Sequence, residues 1–371
     1  MGETVRLGID ARKEWDGGIG RYIRNLINGL LRSEDLGELH AWVKPDSGML
    51  KLVSENFKPH PERARLYGFW EQFSLRIKAN RTPIDLFHAP HYVVPIGLKI
   101  PLVVTIHDII HLIFPKSPFH RRYATAQIRH AIRNAAAVIT PSSFSLEELQ
   151  RFFPEAKGKT IAILHGLEDD FFRESSAKDG EIEQTLQLPQ RYLLYVGNHK
   201  PHKNLEQLLE VCREVFKDDP DLFLCVTGNK GDEGGRLYNA AARLGLEERV
   251  RFLGNLENEA LQVCYRRALC FVFPSLYEGF GFPPLEAMAS GTPVVAYRVA
   301  SLPEVIGEGG ILISEGDGKE FYEAVRLLVE NTEARREWGL KGRAHAKKFS
   351  WEAAIREHIA VYRKILSQGS V

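Results

Sequence analysis

Eleven short apolar runs, each followed by a turn and a longer helical pattern, constrain this chain more than any other feature of its sequence. They are Val5–Asp10, Asp85–His88, Leu102–His107, Ala136–Pro141 and Thr160–Leu164 in the first half. In the second half they are Tyr192–Gly197, Leu222–Gly228, Val250–Gly254, Cys270–Pro274, Val294–Tyr297 and Ile311–Ile313. Runs this short, without apolar/polar alternation, predict strands buried on both faces, as in parallel sheets covered by helices. The segments between them read as amphipathic helices: Ile19–Leu31, and Asn204–Phe216 with Leu205, Leu208, Leu209, Cys212 and Phe216 on one side. Alternation sustained through both halves predicts an α/β protein of two doubly wound, Rossmann-like domains.

Charge marks the same division. The formal net charge is +1, with no basic excess that would argue for a nucleic-acid partner. Residues 1–160 nevertheless hold 23 Lys/Arg against 16 Asp/Glu, while the remainder holds 26 against 32. Between Gly166 and Pro189 the chain becomes acidic and small-residued, with no buried-strand pattern until Tyr192. The expected domains are therefore 1–170 and 171–351. The last segment, Trp351 to Leu366, reads as a helix with Ala353, Ile355, Ile359, Tyr362 and Ile365 on its apolar side. Such a helix either caps the second sheet or crosses back, and the expectation taken forward joins 352–371 to the first domain.

The start of the chain shows no basic segment followed by an apolar core, so no secretory leader is expected. The longest apolar stretch, Ile100 to Pro115, is interrupted by His107, Asp108 and His111 and falls short of the ~20 residues that span a bilayer. Cys212, Cys225, Cys264 and Cys270 lie in apolar segments without a C-x-x-C pair and read as buried thiols in a reducing compartment. The expected location is cytoplasmic.

The stretch richest in chemistry is Pro274-Ser-Leu-Tyr-Glu278-Gly-Phe-Gly-Phe-Pro-Pro-Leu-Glu286-Ala-Met-Ala-Ser-Gly291. It follows a buried strand, where open α/β sheets bind ligands. Gly279 and Gly281 permit close approach of a ligand to the backbone. Pro283 or Pro284 suits a first helical turn, so the N–H groups around Phe280–Phe282 form an anion site at the positive end of a helix. Glu286, early in that helix, is placed to accept hydrogen bonds from a diol such as a ribose. Glu278 is placed to meet the other end of the same ligand.

Glu278 and Glu286, with seven residues between them, resemble the E-x7-E signature of family-4 retaining glycosyltransferases with the two-domain GT-B fold. The likeness continues along the chain. Gly17-Gly-Ile-Gly20 resembles the family's N-terminal glycine loop, His107-Asp108 its donor-sugar histidine, and Gly197-Asn-His-Lys-Pro-His-Lys203-Asn204 its diphosphate-binding loop. Gly291-Thr-Pro-Val-Val-Ala296, Leu302-Pro-Glu-Val305 and Phe349-Ser-Trp-Glu352 are also similar. The resemblance implies two domains facing across a cleft. It implies that Gly17 and Gly18 let amides approach the leaving β-phosphate, that Lys203 neutralises the diphosphate, and that His107 hydrogen-bonds the transferred sugar. It also places Phe252–Leu256 beside the nucleotide base. Many relatives have Arg after the loop glycine; here Asn198 stands there, with Lys200 or His202 as replacement charges.

The activity implied is transfer of a sugar with retention of anomeric configuration. GDP-mannose is the favoured donor, a UDP-sugar the second choice, and a glycan or lipid-linked molecule the acceptor. Catalytic roles fall to His107 and Glu278. Donor binding falls to Gly17, Gly18, Asn198, Lys203, Gly279, Phe280, Gly281, Phe282 and Glu286. No cofactor and no metal are expected: Asp219-Pro-Asp221 reads as a solvated turn, and His107-Asp-Ile-Ile-His111 lacks the glutamate of a helical H-E-x-x-H zinc site. A nucleotide-sugar epimerase of the same fold and a non-catalytic sugar-nucleotide binder are the alternatives. Between Lys99 and Arg133, six basic residues face a single acid, Asp108. Arg122, Arg129 and Arg133 recur at helical spacing, predicting a face that meets an anionic membrane or a lipid-diphosphate acceptor at the inner face of the membrane.

Overall fold

The computed structural model describes residues 4–52, 54–64, 71–228 and 232–368. The first three residues, read above for a leader, and the last three, 369–371, lie outside the described residues. The chain divides into two compact units, Met1–Gly166 together with Ser350–Val371, and Leu167–Phe349.

The first unit is built on seven parallel strands: β1 (Val5–Asp10), β2 (Leu36–Val43), β3 (Phe57–Pro61), β4 (Leu86–Ala89), β5 (Leu102–Thr105), β6 (Ala137–Thr140) and β7 (Thr160–Ala162). Their order is β3-β2-β1-β4-β5-β6-β7, so the winding reverses between β1 and β4. That reversal opens a crevice at the carboxyl ends of β1 and β4. Successive strand residues feed cores on opposite faces, as the period-2 pleat requires. Val103, Ala137 and Ile139 join the core beneath the helix Gly17–Leu31, while Leu102, Val104 and Val138 join the other.

The C-terminal helix Trp351–Gln368 belongs to this unit and lies on the first of these cores, where Ile355, Ile359, Tyr362 and Ile365 are buried. Gly29 makes the approach possible, since a Cβ there would sit 2.4 Å from the Ile355 side chain. His358, a polar residue on the apolar side of that helix, is fully buried with them.

The second unit holds six parallel strands in the order β10-β9-β8-β11-β12-β13. They are β8 (Arg191–Val196), β9 (Leu222–Thr227), β10 (Val250–Gly254), β11 (Cys270–Phe273), β12 (Val294–Tyr297) and β13 (Ile311–Ile313). The winding reverses between β8 and β11, and one continuous apolar core packs both faces. The four cysteines are buried free thiols within it, and burial pushes each upward, Cys264 and Cys270 to about 12.

Two strands escape the apolar-run reading. β2 includes Glu38 and His40 in its sequence, and β3 reads Phe57-Lys-Pro-His-Pro61. Two prolines in five residues are tolerated because β3 lies at the sheet edge, where missing ladder donors cost least.

Candidate active site

In the second unit the residues singled out by sequence collect at the carboxyl ends of β8 and β11. After β8 the chain passes Gly197 and Asn198 and makes a single 3-10 turn, Pro201–Lys203. Asn204 ends that turn at φ +55°, a left-handed conformation that Asn tolerates, before the helix Leu205–Asp218. After β11 the loop from Pro274 is tied to this turn: Leu276 N–H donates to His202 O at 2.8 Å, and the buried Ser275 hydroxyl donates to Tyr277 O at 3.2 Å. These contacts bring Lys203 onto Glu278, where Nζ and Oε1 form an ion pair, with side chains only 9% and 14% exposed. The Lys203 ammonium also lies 5.4 Å from the centre of the Phe273 ring.

The glycine turn that follows is oriented by a residue the motif reading passed over. The buried Ser301 hydroxyl lies 2.9 Å from Glu278 O and 2.7 Å from Phe280 O and donates to these carbonyls. In a trans peptide the C=O and the next N–H point opposite ways, so the amides of Gly279 and Gly281 turn away from Ser301. Gly281 adopts φ +113°, which only glycine reaches cheaply, and caps the helix Phe282–Ala289. Pro283 and Pro284 in its first turn have no N–H, so the anion-binding capacity of this end rests on the residues before them. Phe280 anchors the turn by packing on Phe282 and Phe349 at 5.1 and 6.0 Å.

Glu286 is 5% exposed, and the Tyr265 hydroxyl donates to its Oε2 at 2.6 Å. Its carboxylate is thereby fixed one helical turn inside the helix Phe282–Ala289. Asn198 Oδ1 accepts from Lys200 N–H at 3.2 Å, and its own carbonyl accepts from the Tyr195 hydroxyl at 2.9 Å. Burial, together with Lys203 and Lys200, pushes His202 down to about 4, so it is neutral near pH 7. Of the two replacement charges proposed for the missing arginine, the exposed Lys200 is the cation. Phe252, in β10, lies 6.5 Å ring to ring from His199, forming an aromatic corner beside the same loop. Asp219, of the Asp219-Pro-Asp221 turn, pairs with Arg191 at 2.8 Å.

In the first unit Gly17 and Gly18 begin the 15-residue helix Gly17–Leu31, exposed at its positive end. Gly17 has φ +51° and nothing within 4 Å of where a Cβ would stand. His107 follows β5, and its Nε2 lies 3.1 Å from Pro90 O. A carbonyl only accepts, so Nε2 holds the proton and Nδ1 presents a lone pair. Burial pushes His107 down to about 4, so this neutral form persists at neutral pH. His111 stands on the short helix Ile110–Ile113.

Beside His107 is a buried ionic cluster that no motif announced. Asp10, the last residue of β1, pairs with Arg12 through Nε at 2.8 Å and Nη2 at 2.6 Å, and with His91 Nε2 at 3.1 Å. His91 Nδ1 accepts from Val93 N–H, which fixes its tautomer as a donor toward Asp10. Burial alone would raise the Asp10 pKa, but Arg12 and His91 hold the carboxylate well below its ordinary range.

The second unit thus offers a cation, oriented amides and two carboxylates, a set suited to a nucleoside diphosphate. The first offers a helix N-terminus and a neutral imidazole acceptor. Among the described residues no group of three or more His, Cys, Asp or Glu is arranged to hold a metal ion.

Comparison with known proteins sets this chemistry in a family. Residues 16–171 match the family described as Glycosyltransferase Family 4, and residues 179–345 match Glycosyl transferases group 1. The O-antigen chain mannosyltransferase B of Escherichia coli is 29% identical over 365 residues, covering 93% of this chain and 96% of that protein. The O-antigen chain mannosyltransferase RfbU of Salmonella typhimurium is 26% identical, covering 72% and 71%. Among solved structures, Anabaena HepE in complex with UDP and glucose aligns with a TM-score of 0.79 at 20% identity, covering 97% of this chain and all of that one. This last likeness is one of fold, the GT-B arrangement of two parallel-sheet domains.

Proposed function

The chain belongs to the family-4, group 1 glycosyltransferases, and on that premise we propose that it moves mannose from GDP-mannose, with retention, to a glycan or lipid-linked acceptor. The observation that carries this reading is the Lys203–Glu278 pair beside a glycine turn whose carbonyls Ser301 holds, with the following amides facing away from it. A leaving diphosphate gains negative charge as its bond to the sugar breaks. A desolvated ammonium and fixed amides stabilise that charge without reorganising. The mannosyltransferase names of two relatives support the sugar, and the UDP bound by HepE supports a nucleoside diphosphate as the leaving group.

In this reading Lys203 and the amides of Gly279–Phe282 receive the diphosphate, with Asn198 and Lys200 on the flanking loop. Glu286, held by Tyr265, accepts from the ribose diol, and the Phe252 corner receives the base. Glu278 orders Lys203 and stabilises the positive anomeric centre. Gly17 and Gly18 present their helix end to the β-phosphate, and Nδ1 of His107 accepts from a hydroxyl of the transferred sugar. The departing phosphate oxygen takes the proton of the acceptor hydroxyl on the same face, so configuration is retained and the protein supplies position and field.

A membrane-bound acceptor is supported by the corner around the helix Pro118–Asn134. Phe119 is 79% exposed and Phe114 41%, flanked by the exposed Lys116, Arg121 and Arg122. From residue 109 to residue 146 there is no Asp or Glu. Aromatic side chains set among uncompensated cations suit the headgroup layer of an anionic membrane. No described helix is long and apolar enough to cross a membrane.

Release of nucleotide from a panel of GDP- and UDP-sugars tests the donor. GDP-mannose turned over faster than every UDP-sugar is the expected result. Preference for a UDP-sugar would overturn the donor, and donor isomerisation without nucleotide release would overturn the transferase reading itself.

A further inference from the structure

Behind His107 a chain of five fully buried side chains crosses the first unit from the C-terminal helix to the sheet and back: Tyr362, His88, Thr105, Tyr22 and His358. The distances are 2.7 Å from Tyr362 Oη to His88 Nδ1, 2.8 Å from His88 Nε2 to Thr105 Oγ1, 2.9 Å from Thr105 Oγ1 to Tyr22 Oη and 2.7 Å from Tyr22 Oη to His358 Nε2. The far end is fixed by a carbonyl, Ala354 O, 2.7 Å from His358 Nδ1.

That carbonyl determines every other proton. Nδ1 of His358 must donate to it, so Nε2 of the neutral ring accepts and the Tyr22 hydroxyl donates to it. Tyr22 Oη then accepts from Thr105, Thr105 Oγ1 accepts from His88 Nε2–H, and His88 Nδ1 accepts from Tyr362. Each hydroxyl donates once, both rings are neutral, and the chain runs one way. Burial favours the same state: it pushes His358 to about 4 and His88 well below the usual range, and raises both tyrosines.

The chain reaches His107 through Tyr22. The Tyr22 ring, held at its hydroxyl from two sides, meets the His107 ring edge-on at 5.0 Å, and His165 closes on the imidazole at 5.6 Å. Thr105 is the last residue of β5, two before His107. We propose that Tyr22 is a positioning residue for His107, and that the directed chain anchored on His358 makes the C-terminal helix part of the support of the sugar-transfer site. This rests on the role given to His107 above. The chain holds the imidazole at the tilt that aims the Nδ1 lone pair outward while Nε2–H stays on Pro90 O.

The test uses the full-length protein and GDP release from GDP-mannose in water, which needs no acceptor. Tyr22→Phe keeps the ring and removes the link. His358→Leu removes the terminal acceptor, whereas His358→Gln keeps an oxygen where Nε2 stands. Tyr22→Phe and His358→Leu should each lower kcat at least tenfold with the KM for donor within twofold, and His358→Gln should recover most of kcat. The 15N signals of the His107 ring should report one tautomer in the wild type and a mixture in Tyr22→Phe. Should Tyr22→Phe fail to fold, the two His358 variants still decide. Unchanged kcat and an unchanged ring signature in folded Tyr22→Phe or His358→Leu, with His107→Ala inactive, would overturn the positioning role alone. Full activity in His107→Ala would overturn both it and the role of His107.

Discussion

The two units share one architecture, a parallel sheet between helices, yet the residues singled out in each carry different polar chemistry. In the second unit the site is charge: Lys203 on Glu278, and amides oriented by Ser301. In the first a neutral chain of rings and hydroxyls lies behind His107, beside two buried cations, Arg12 paired with Asp10 and Lys13 paired with Asp16. The same strand order, apart from one extra edge strand in the first unit, therefore does not imply identical work. A strand's carboxyl end is a place to put chemistry, and the residues placed there decide whether it stabilises charge or fixes a lone pair.

Removing charge from the second unit should have the largest effect. Glu278→Ala should lower turnover about 10²–10³-fold, the scale of losing one preorganised electrostatic group, with donor affinity changed far less. Glu286→Ala should do the reverse. Losing charge-assisted hydrogen bonds worth about 1.5–3 kcal/mol weakens donor binding roughly 10–100-fold. Titration calorimetry with GDP alongside steady-state turnover separates the two, and equal behaviour of both variants would dissolve the division of labour between the carboxylates.

Acid should discriminate between the units by stability. Burial depresses His88, His107, His165 and His358 in the first unit, two of them to about 4. An unfolded chain takes up those protons near the ordinary value of about 6.5, and the folded one does not. Stability is therefore full above that value and declines as pH falls toward 4, by on the order of 2 kcal/mol per histidine at pH 5. The second unit holds His202 and His345 in the same sense, fewer groups. Hydrogen exchange followed at pH 7.5 and pH 5 should show the first unit losing more protection; equal loss in both would contradict the buried-histidine account.

The smallest effect concerns the exposed corner. Phe119→Ser combined with Arg122→Gln should reduce flotation with anionic liposomes severalfold and leave donor hydrolysis in solution unchanged. Salt-insensitive flotation, or none by the wild type, would remove the membrane from the proposal.

Most of this fold is legible in the sequence because strands buried on both faces leave uninterrupted apolar runs, as at Leu102–Thr105 and Cys270–Phe273. β2 and β3 are not: the edge position of β3 lets Lys58 and two prolines sit inside a strand, and in β2 Glu38 is carried by its pairing with Lys58 and His40. The spacing of Glu278 and Glu286 is local and visible. The pairing of Glu278 with Lys203 joins residues 75 apart, and the bond from Tyr22 to His358 joins residues 336 apart. Neither has a spacing that one-dimensional pattern can express. His358 shows the limit well: on the apolar side of a helix it reads as an interruption, and only the opposing Tyr22 gives it a purpose. Ser301 lies one residue before the Leu302-Pro-Glu-Val305 motif and leaves no signal of its own, since its work is done on two carbonyls of another loop.

The most direct test of the account is the anomer of the sugar first released when the protein hydrolyses GDP-α-mannose, read by proton NMR before mutarotation. Release of α-mannose, abolished by Lys203→Ala and Glu278→Ala, is the predicted result. Initial release of β-mannose, or α-mannose formed undiminished by those two variants, would contradict it.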